Sequence, residues 1–446
     1  MTARGTIPAP PPATDRAADH TGAPVATPAP AGPAAFLKSL GPGLITGAAD
    51  DDPSGIATYS QLGAQFGFGM AWTMLFSFPL MAAVQEISAR IGSITGHGIA
   101  TNLRRHYPPW LLRSMLALLL TANILNLGAD IGAMADALRL LIGGPAALYP
   151  LLFGIVCVGL EVFVSYGRYA SFLKWLSLSL LAYVACAFAV ELPWRDALRG
   201  TLLPSLALDA SHLTALVATL GTTISPYLFF WQSAQEVEEG LRRHVKPLCI
   251  TPAAAGPELR RIRIDTLVGM GISNLIALFI ILTAGATLHA NGLTEIATSS
   301  EAAEALRPIA GPFTFVLFAA GIIGTGMLAV PVLAGSAAYA LGEALRWPVG
   351  LDRRWNEAKA FYGTIAVATL AGTAISLSSI DPVKALYWAA VVNGVLAVPL
   401  MAVMMLVATN RRVLGRLTLP PGLRAVGWLA TAIMGAAAVA MIALVA

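Results

Sequence analysis

Eleven apolar segments, each long enough to form a helix that crosses a bilayer, follow one another along the chain and constrain its fold more than any other feature. Only 12% of the 446 residues are charged, whereas a soluble domain carries about 25%. A chain with so little charge buries its apolar surface most readily in lipid, so we predict an all-α membrane protein. The predicted spans are residues 41–65, 69–95, 113–142, 146–165, 171–190, 212–239, 264–289, 310–344, 361–378, 384–408 and 424–445.

The distribution of positive charge predicts how these spans are oriented. Lys and Arg concentrate in the loops after the even-numbered spans, for example in the stretch from Arg242 to Arg263. Because positively charged loops stay in the cytoplasm, we predict a multi-pass protein of the plasma (inner) membrane with a cytoplasmic amino terminus. Residues 1–36 are rich in Pro and Ala and lack apolar periodicity, which predicts a disordered tail before a transmembrane domain at 37–446.

Several functional classes find no support in the sequence. It contains no dinucleotide fingerprint, Walker loop or nucleophile elbow, so it favours neither an enzyme nor an ATP-driven pump. The three cysteines, Cys157, Cys186 and Cys249, are far apart and predict no thiolate metal site. The formal net charge of +4 lies mostly in loops and indicates topology, not nucleic-acid binding. No cofactor is expected.

Two of the predicted spans are interrupted by proline and small or polar residues. The first span contains DDDPSG at residues 50–55, and the sixth contains GTTISP at residues 221–226. Proline disrupts a helix, and irregular backbone is tolerated within a membrane only where it lines a cavity. Since the breaks are five spans apart, they predict inverted repeats at about 41–190 and 212–408, a site where the breaks meet, and an extra helix at 424–445.

The three consecutive aspartates Asp50, Asp51 and Asp52 lie inside the first break. An ionised aspartate at the middle of a bilayer costs about 2.5–3.5 kcal/mol. The chain is therefore expected to retain three of them only if cations, protons or water reach them. The alternative is an ordinary Asp-Pro turn or a harmless proline kink, which the sixth span alone would not exclude.

The sequence of the first two spans resembles the Nramp (natural resistance-associated macrophage protein) family of proton-coupled divalent-metal transporters. The stretch GPGLITGAADDDPSGIATYSQLGAQFG at 41–67 is similar to the family's first helix, and PLMAAVQEISARIGSITGHGIA at 79–100 to its second. The resemblance extends from Gly41 to about the tenth span. It implies an inverted five-helix repeat of the amino-acid/sodium symporter type, with about 11 transmembrane helices and the first and sixth broken.

The resemblance also implies part of a metal-ligand set. Family members bind the metal through an Asp and an Asn of the first helix, a Met of the sixth, and backbone carbonyls one turn before each break. Asp52 matches the metal-binding Asp, while Ala49 and Thr222 match the two carbonyl positions. These three positions are the implied ligands that this sequence retains.

Two further ligand positions differ from the family pattern. Gly55 stands where the family has Asn, and Ser225 stands where it has Met, so a side-chain oxygen and a soft sulfur are lost. Asp50 and Asp51 add carboxylates immediately before Asp52. Oxygen ligands without sulfur suit Mg²⁺ or Mn²⁺ better than softer ions, so the sequence predicts a hard divalent cation. The expected metal site is Asp52, Asp51, Asp50, Ala49, Thr222 and Ser225.

The proton-carrying positions of the family are also only partly retained. Asp130 resembles the Asp of the family's third helix, and with Asp52 it is the candidate proton relay. Ala133 takes the position of the family's Glu, and Gln232 takes that of its His. The remaining residues expected to line the cavity are Gly55, Tyr227, Gln232 and Asn393.

Three functions remain open at this point. The first is a secondary active transporter of a hard divalent cation, with or without coupled protons. The second keeps the fold but carries a small organic solute, which the loss of the Asn and Met ligands would permit. The third is a non-transporting sensor, which we rank last because the chain ends at Ala446 without a long soluble extension. The expected partners are the cation, protons and the lipid bilayer; nucleic acid is not among them.

Overall fold

The computed structural model describes residues 41–164, 180–190, 192–205, 207–378 and 380–445, and this part of the chain contains helices and no strands. The helices in chain order are α1 Pro42–Asp50, α2 Pro53–Phe66, α3 Trp72–Thr95, α4 Ile99–His106, α5 Pro109–Ile142, α6 Leu148–Phe163, α7 Leu181–Ala189, α8 Trp194–Leu202, α9 Ala210–Thr223, α10 Pro226–Arg242, α11 Ala255–Thr287, α12 Ser299–Glu304, α13 Arg307–Ala310, α14 Thr314–Leu345, α15 Lys359–Ser376, α16 Pro382–Thr409, α17 Arg411–Leu414 and α18 Pro421–Val445.

The predicted spans coincide with these helices wherever the structure describes them. Within the described residues, six helical segments are long and apolar enough to cross a membrane, and the paired helices α9 and α10 form one of the six. The first predicted span is the pair α1 and α2, and the fourth is the shorter α6. Residues 171–179 of the fifth predicted span and the predicted tail at 1–36 lie outside the described residues.

Glycine residues allow α1 to lie directly against α11. A β-carbon on Gly47 would lie 2.3 Å from the carbonyl oxygen of Gly269, and one on Gly269 would lie 2.2 Å from that of Gly43. No larger residue fits these positions without moving the backbone of one helix. The close approach fixes the end of α1, and therefore the first break, against the middle of α11.

Asp265 of α11 caps the amino terminus of α1. Its carboxylate accepts hydrogen bonds from the backbone amides of Gly41 at 2.9 Å, Gly43 at 2.8 Å and Leu44 at 3.2 Å. The first amides of a helix have no partners within the helix, and a cap usually comes from the residue just before it. Here a side chain more than 200 positions away supplies the cap, and it links α1 to α11 at a second point.

Candidate cation site

The two breaks have the same local construction. Residues 51–52 separate α1 from α2, and residues 224–225 separate α9 from α10. In each break the residue before the second helix is extended, and Pro53 or Pro226 occupies its first position. Proline is suited to that position because the amide it lacks would have no helical partner. The carboxyl ends of α1 and α9 therefore present backbone carbonyls, which together with the helix dipoles favour a cation.

The carboxylate of Asp52 connects the first break to the second. One of its oxygens accepts a hydrogen bond from the backbone amide of Gly55 at 2.7 Å, and the other accepts one from the Tyr227 hydroxyl at 3.0 Å. The same hydroxyl lies 3.1 Å from the carbonyl oxygen of Ala49. Tyr227 belongs to α10, which follows the second break. Its hydroxyl therefore contacts both the carbonyl end of α1 and the carboxylate of Asp52.

The second break contributes Thr222 and Ser225. The Ser225 hydroxyl is 2.7 Å from the carbonyl oxygen of Gly221 and 2.8 Å from that of Thr222, so it donates within its own break. A β-carbon on Gly55 would lie 3.3 Å from the Thr222 hydroxyl oxygen, so position 55 faces the second break. Asp52, Thr222 and Ser225 are all buried. The two breaks therefore face one another, as the positions of their prolines predicted.

Asp50 and Asp51 are directed towards a different helix. The Ser273 hydroxyl oxygen of α11 lies 2.6 Å from a carboxylate oxygen of Asp50 and 3.1 Å from one of Asp51. Among the described residues, no group of three or more His, Cys, Asp or Glu side chains is arranged to hold one metal ion. The geometry thus separates Asp52 from its two neighbours, and metal binding by Asp50 and Asp51 remains a prediction.

Asp130 is buried on α5, close to the first break. α5 packs against α2, the helix that follows the first break. Within the part of the chain that the structure describes, neither of its carboxylate oxygens makes a hydrogen bond of good geometry. The role of Asp130 in proton transfer remains a prediction.

Gln232 and Asn393 form contacts between helices. Gln232 of α10 accepts a hydrogen bond from the Thr46 hydroxyl of α1, and its amide lies 3.4 Å from a carboxylate oxygen of Glu236. Asn393 of α16 accepts a hydrogen bond of 2.8 Å from the side-chain amide of Asn126 in α5. Both side chains are buried and have protein partners. Their predicted place in the lining of the cavity remains a prediction.

Sequence analysis missed two residues beside the aspartates, Tyr59 and Ser273. Tyr59 lies on α2 and is fully buried, and a β-carbon on Gly55 would lie 3.2 Å from its ring and 3.3 Å from the backbone carbonyl oxygen of Asp50. It follows Asp52 by seven residues, or two helical turns, and that spacing could have indicated a shared face. Ser273 offers no such signal, because small hydroxyl side chains are common in apolar helices.

Comparison with known proteins gives concordant matches. The family model described as "Natural resistance-associated macrophage protein-like" matches residues 43–444. The chain is 27% identical over 342 residues to a protein named divalent metal cation transporter MntH from Aeromonas hydrophila subsp. hydrophila, covering 73% of this chain and 78% of that protein. It is 30% identical over 302 residues to a protein of the same name from Yersinia pestis, covering 65% and 69%.

Solved structures confirm the predicted fold. A manganese transporter from Eremococcus coleocola, in complex with an aromatic bis-isothiourea substituted compound, superposes with a TM-score of 0.72 at 16% identity, covering 93% of this chain and 88% of the other. Mhp1, a nucleobase-cation-symport-1 family transporter, superposes with a TM-score of 0.54 at 14% identity, covering 91% and 92%. At these identities the likeness establishes the fold alone.

Proposed function

The chain belongs to the natural resistance-associated macrophage protein (Nramp) family, and from this premise we propose that it carries a divalent metal cation across the membrane, with Asp52 as the principal ligand. The matching relatives are named as transporters, so we propose the cation as cargo and not as a cofactor. The observation that supports the proposal best is that a single hydroxyl contacts both groups. The Tyr227 hydroxyl lies 3.0 Å from an Asp52 carboxylate oxygen and 3.1 Å from the Ala49 carbonyl oxygen.

We propose a hard cation, Mn²⁺ or Mg²⁺, as the cargo. The Tyr227 hydroxyl contacts Asp52, and the Thr222 hydroxyl faces Gly55. The second break adds the Ser225 hydroxyl, which donates to carbonyls of its own break, and both breaks offer backbone carbonyl oxygens. Oxygen ligands suit these ions, and Mg²⁺ in particular keeps part of its water shell when it binds protein. Relatives named for divalent metal cations, and a structural neighbour named for manganese, make Mn²⁺ the first ion to test.

Uptake of Mn²⁺ into proteoliposomes that contain the full chain tests this proposal. We expect saturable Mn²⁺ uptake that Mg²⁺ reduces by competition. Repeating the assay with and without an inward proton gradient tests whether Asp130 carries a coupled proton, as we also propose. If Mn²⁺, Mg²⁺ and Ca²⁺ are neither transported nor able to compete, the cation proposal fails and the organic-solute alternative takes its place.

Cys249 provides a test of the proposed orientation. It is exposed in the loop between α10 and α11, whereas Cys157 and Cys186 are buried. If the amino terminus is cytoplasmic, this loop is cytoplasmic too, and we expect a membrane-impermeant maleimide to label the protein in inside-out vesicles but not in intact cells. The Cys249→Ser variant should lose the label and serves as the control. Labelling of Cys249 in intact cells would reverse the proposed orientation.

The missing family ligands predict how ion preference can be changed. We expect the double variant Gly55→Asn, Ser225→Met to favour Cd²⁺ and Mn²⁺ over Mg²⁺ by about tenfold relative to wild type, because it adds an amide oxygen and a soft thioether. A β-carbon at position 55 would lie 3.2 Å from the Tyr59 ring, which must move slightly. Competition by each ion against Mn²⁺ uptake measures the preference. An unchanged order of ions would contradict the ligand assignment.

A further inference from the structure

Three arginines at neighbouring helix ends take no part in the proposed function. Arg104 and Arg105 lie in the last turn of α4, and Arg346 follows the last residue of α14. Among the described residues, none of the three forms an ion pair with an Asp or Glu. We propose that these three residues, the arginine patch, bind the phosphate of an anionic phospholipid at the membrane surface. This binding is independent of the cargo, and the lipid lies in the cytoplasmic leaflet if the proposed orientation holds.

The end of α14 holds Arg104 close to the backbone that leads to Arg346. The Arg104 guanidinium donates hydrogen bonds to the backbone carbonyl oxygens of Glu343 and, at 3.4 Å, of Ala344. Arg346 is two residues beyond Ala344, and its side chain is exposed. Because α4 packs against α14, helix packing supports the same position for Arg104. Two guanidinium groups are therefore available at one helix end, with Arg105 beside them on α4.

The carboxylate of Glu343 is occupied by the start of α4. It accepts a hydrogen bond of 2.9 Å from the backbone amide of Thr101, and amides in the first turn of a helix have no partner within the helix. Burial and the positive charges of Arg346 and Arg105 lower the pKa of the Arg104 guanidinium. The charge of Glu343 acts in the opposite direction but does not reverse this shift. The patch therefore keeps a positive charge that a phosphate would compensate through charge-assisted hydrogen bonds.

The backbone of Arg346 gives a second indication that its side chain is used. Arg346 ends α14 in the left-handed region, with a φ of 64° and a ψ of 35°. Glycine is favoured at such a helix end, because a β-carbon is crowded in this conformation. Gly96 occupies the equivalent position at the end of α3, with a φ of 67°. An arginine in this conformation costs stability, which indicates a function for its guanidinium.

The patch lies next in the chain to the residues at which α5 begins. α5 is long and apolar enough to cross a membrane. Trp110, at the start of α5, is 65% exposed, and tryptophans of membrane helices concentrate at the bilayer interface. Residues 96–114 contain no Asp or Glu. Basic residues at this depth attract anionic lipids, and the planar guanidinium matches the geometry of a phosphate. These features favour a lipid headgroup over a soluble anion.

Displacement of spin-labelled phosphatidylglycerol from the purified full-length protein in a neutral detergent tests the patch. We expect saturable binding, and unlabelled phosphatidylglycerol should displace the label at least about tenfold better than inorganic phosphate or phosphatidylcholine with the same acyl chains. Arg346→Gly should weaken the affinity about fivefold, equivalent to about 1 kcal/mol. Arg105→Gln removes a second charge and should have a similar effect. The matched control Arg195→Gln removes an exposed arginine from α8 and should bind like wild type.

The stability of Arg346→Gly separates lost lipid binding from misfolding. Because glycine suits the left-handed end of α14, the variant should unfold in lipid-free detergent at the same temperature as wild type or above it. Phosphatidylglycerol should raise the unfolding temperature of wild type more than that of the variant. Equal phosphatidylglycerol affinity in wild type and both patch variants, or equal displacement by phosphatidylcholine, would overturn the inference. Displacement by inorganic phosphate as readily as by phosphatidylglycerol would replace the lipid with a soluble anion and would overturn it too.

Discussion

Mn²⁺ uptake by an Asp52→Asn variant is expected to fall at least about 100-fold below wild type, equivalent to about 2.7 kcal/mol of lost ion binding. Asparagine keeps the size of the side chain and one oxygen that can accept from Gly55 or Tyr227. It removes the negative charge that lies beside the carbonyl end of α1. Because the site is buried, the lost attraction is only weakly screened by water. Proteoliposome uptake and calorimetric Mn²⁺ binding measure the effect.

Two variants serve as controls for this result. Asp196→Asn removes an exposed carboxylate from α8 and should leave uptake unchanged. Ser225→Ala should cost less than about tenfold, because the Ser225 hydroxyl donates to carbonyls of its own break and the backbone carbonyl ligands remain. Retention of wild-type Mn²⁺ affinity by a folded Asp52→Asn variant would show that another group holds the ion.

The largest effect on stability is expected from adding one methyl group at Gly221, where α9 crosses α16. A β-carbon there would lie 2.0 Å from the carbonyl oxygen of Ala390 and 2.4 Å from the backbone nitrogen of Gly394. Both contacts are with backbone atoms, so no side-chain rotation can relieve them. We expect Gly221→Ala to destabilise the protein by about 3 kcal/mol or more and to displace the adjacent Thr222. Thermal unfolding in detergent measures the loss.

The matched control for this substitution is Gly363→Ala in α15, which lies in the ninth predicted span. Among the described residues, and apart from the neighbouring backbone of α15 itself, no heavy atom lies within 4 Å of a β-carbon built at Gly363. Because alanine forms helix better than glycine by up to about 1 kcal/mol, the control should be as stable as wild type or more stable. Equal unfolding temperatures for the two variants would contradict the close packing of α9 against α16.

The sequence was sufficient to predict the fold and the meeting of the two breaks. Hydropathy and proline position are local properties, and each acts on the segment that contains it. An apolar run long enough to span a bilayer has few alternatives to a helix. Pro53 and Pro226 indicate that α1 and α9 must end just before them. The comparisons confirmed the fold, and they confirmed the family that the resemblance of the first two spans implied.

Side-chain directions within the first break could not be predicted in the same way. Asp50 is the last residue of α1, Asp51 follows it, and Asp52 is the extended cap of α2, so the backbone turns between successive aspartates. Neighbouring residues in such a segment point to different sides, although their adjacency suggested a single site. The contact of Asp52 with Tyr227 joins residues 175 positions apart and depends on how α1 packs against α10.

Anomalous X-ray diffraction from crystals grown with Mn²⁺ would locate the bound ion itself. We expect an ion within about 2.0–2.6 Å of an Asp52 carboxylate oxygen, with the Ala49 and Thr222 carbonyls beside it. An ion held by Asp50 and Asp51 while Asp52 keeps its hydrogen bond to Tyr227, or an ion bound away from both breaks, would contradict it.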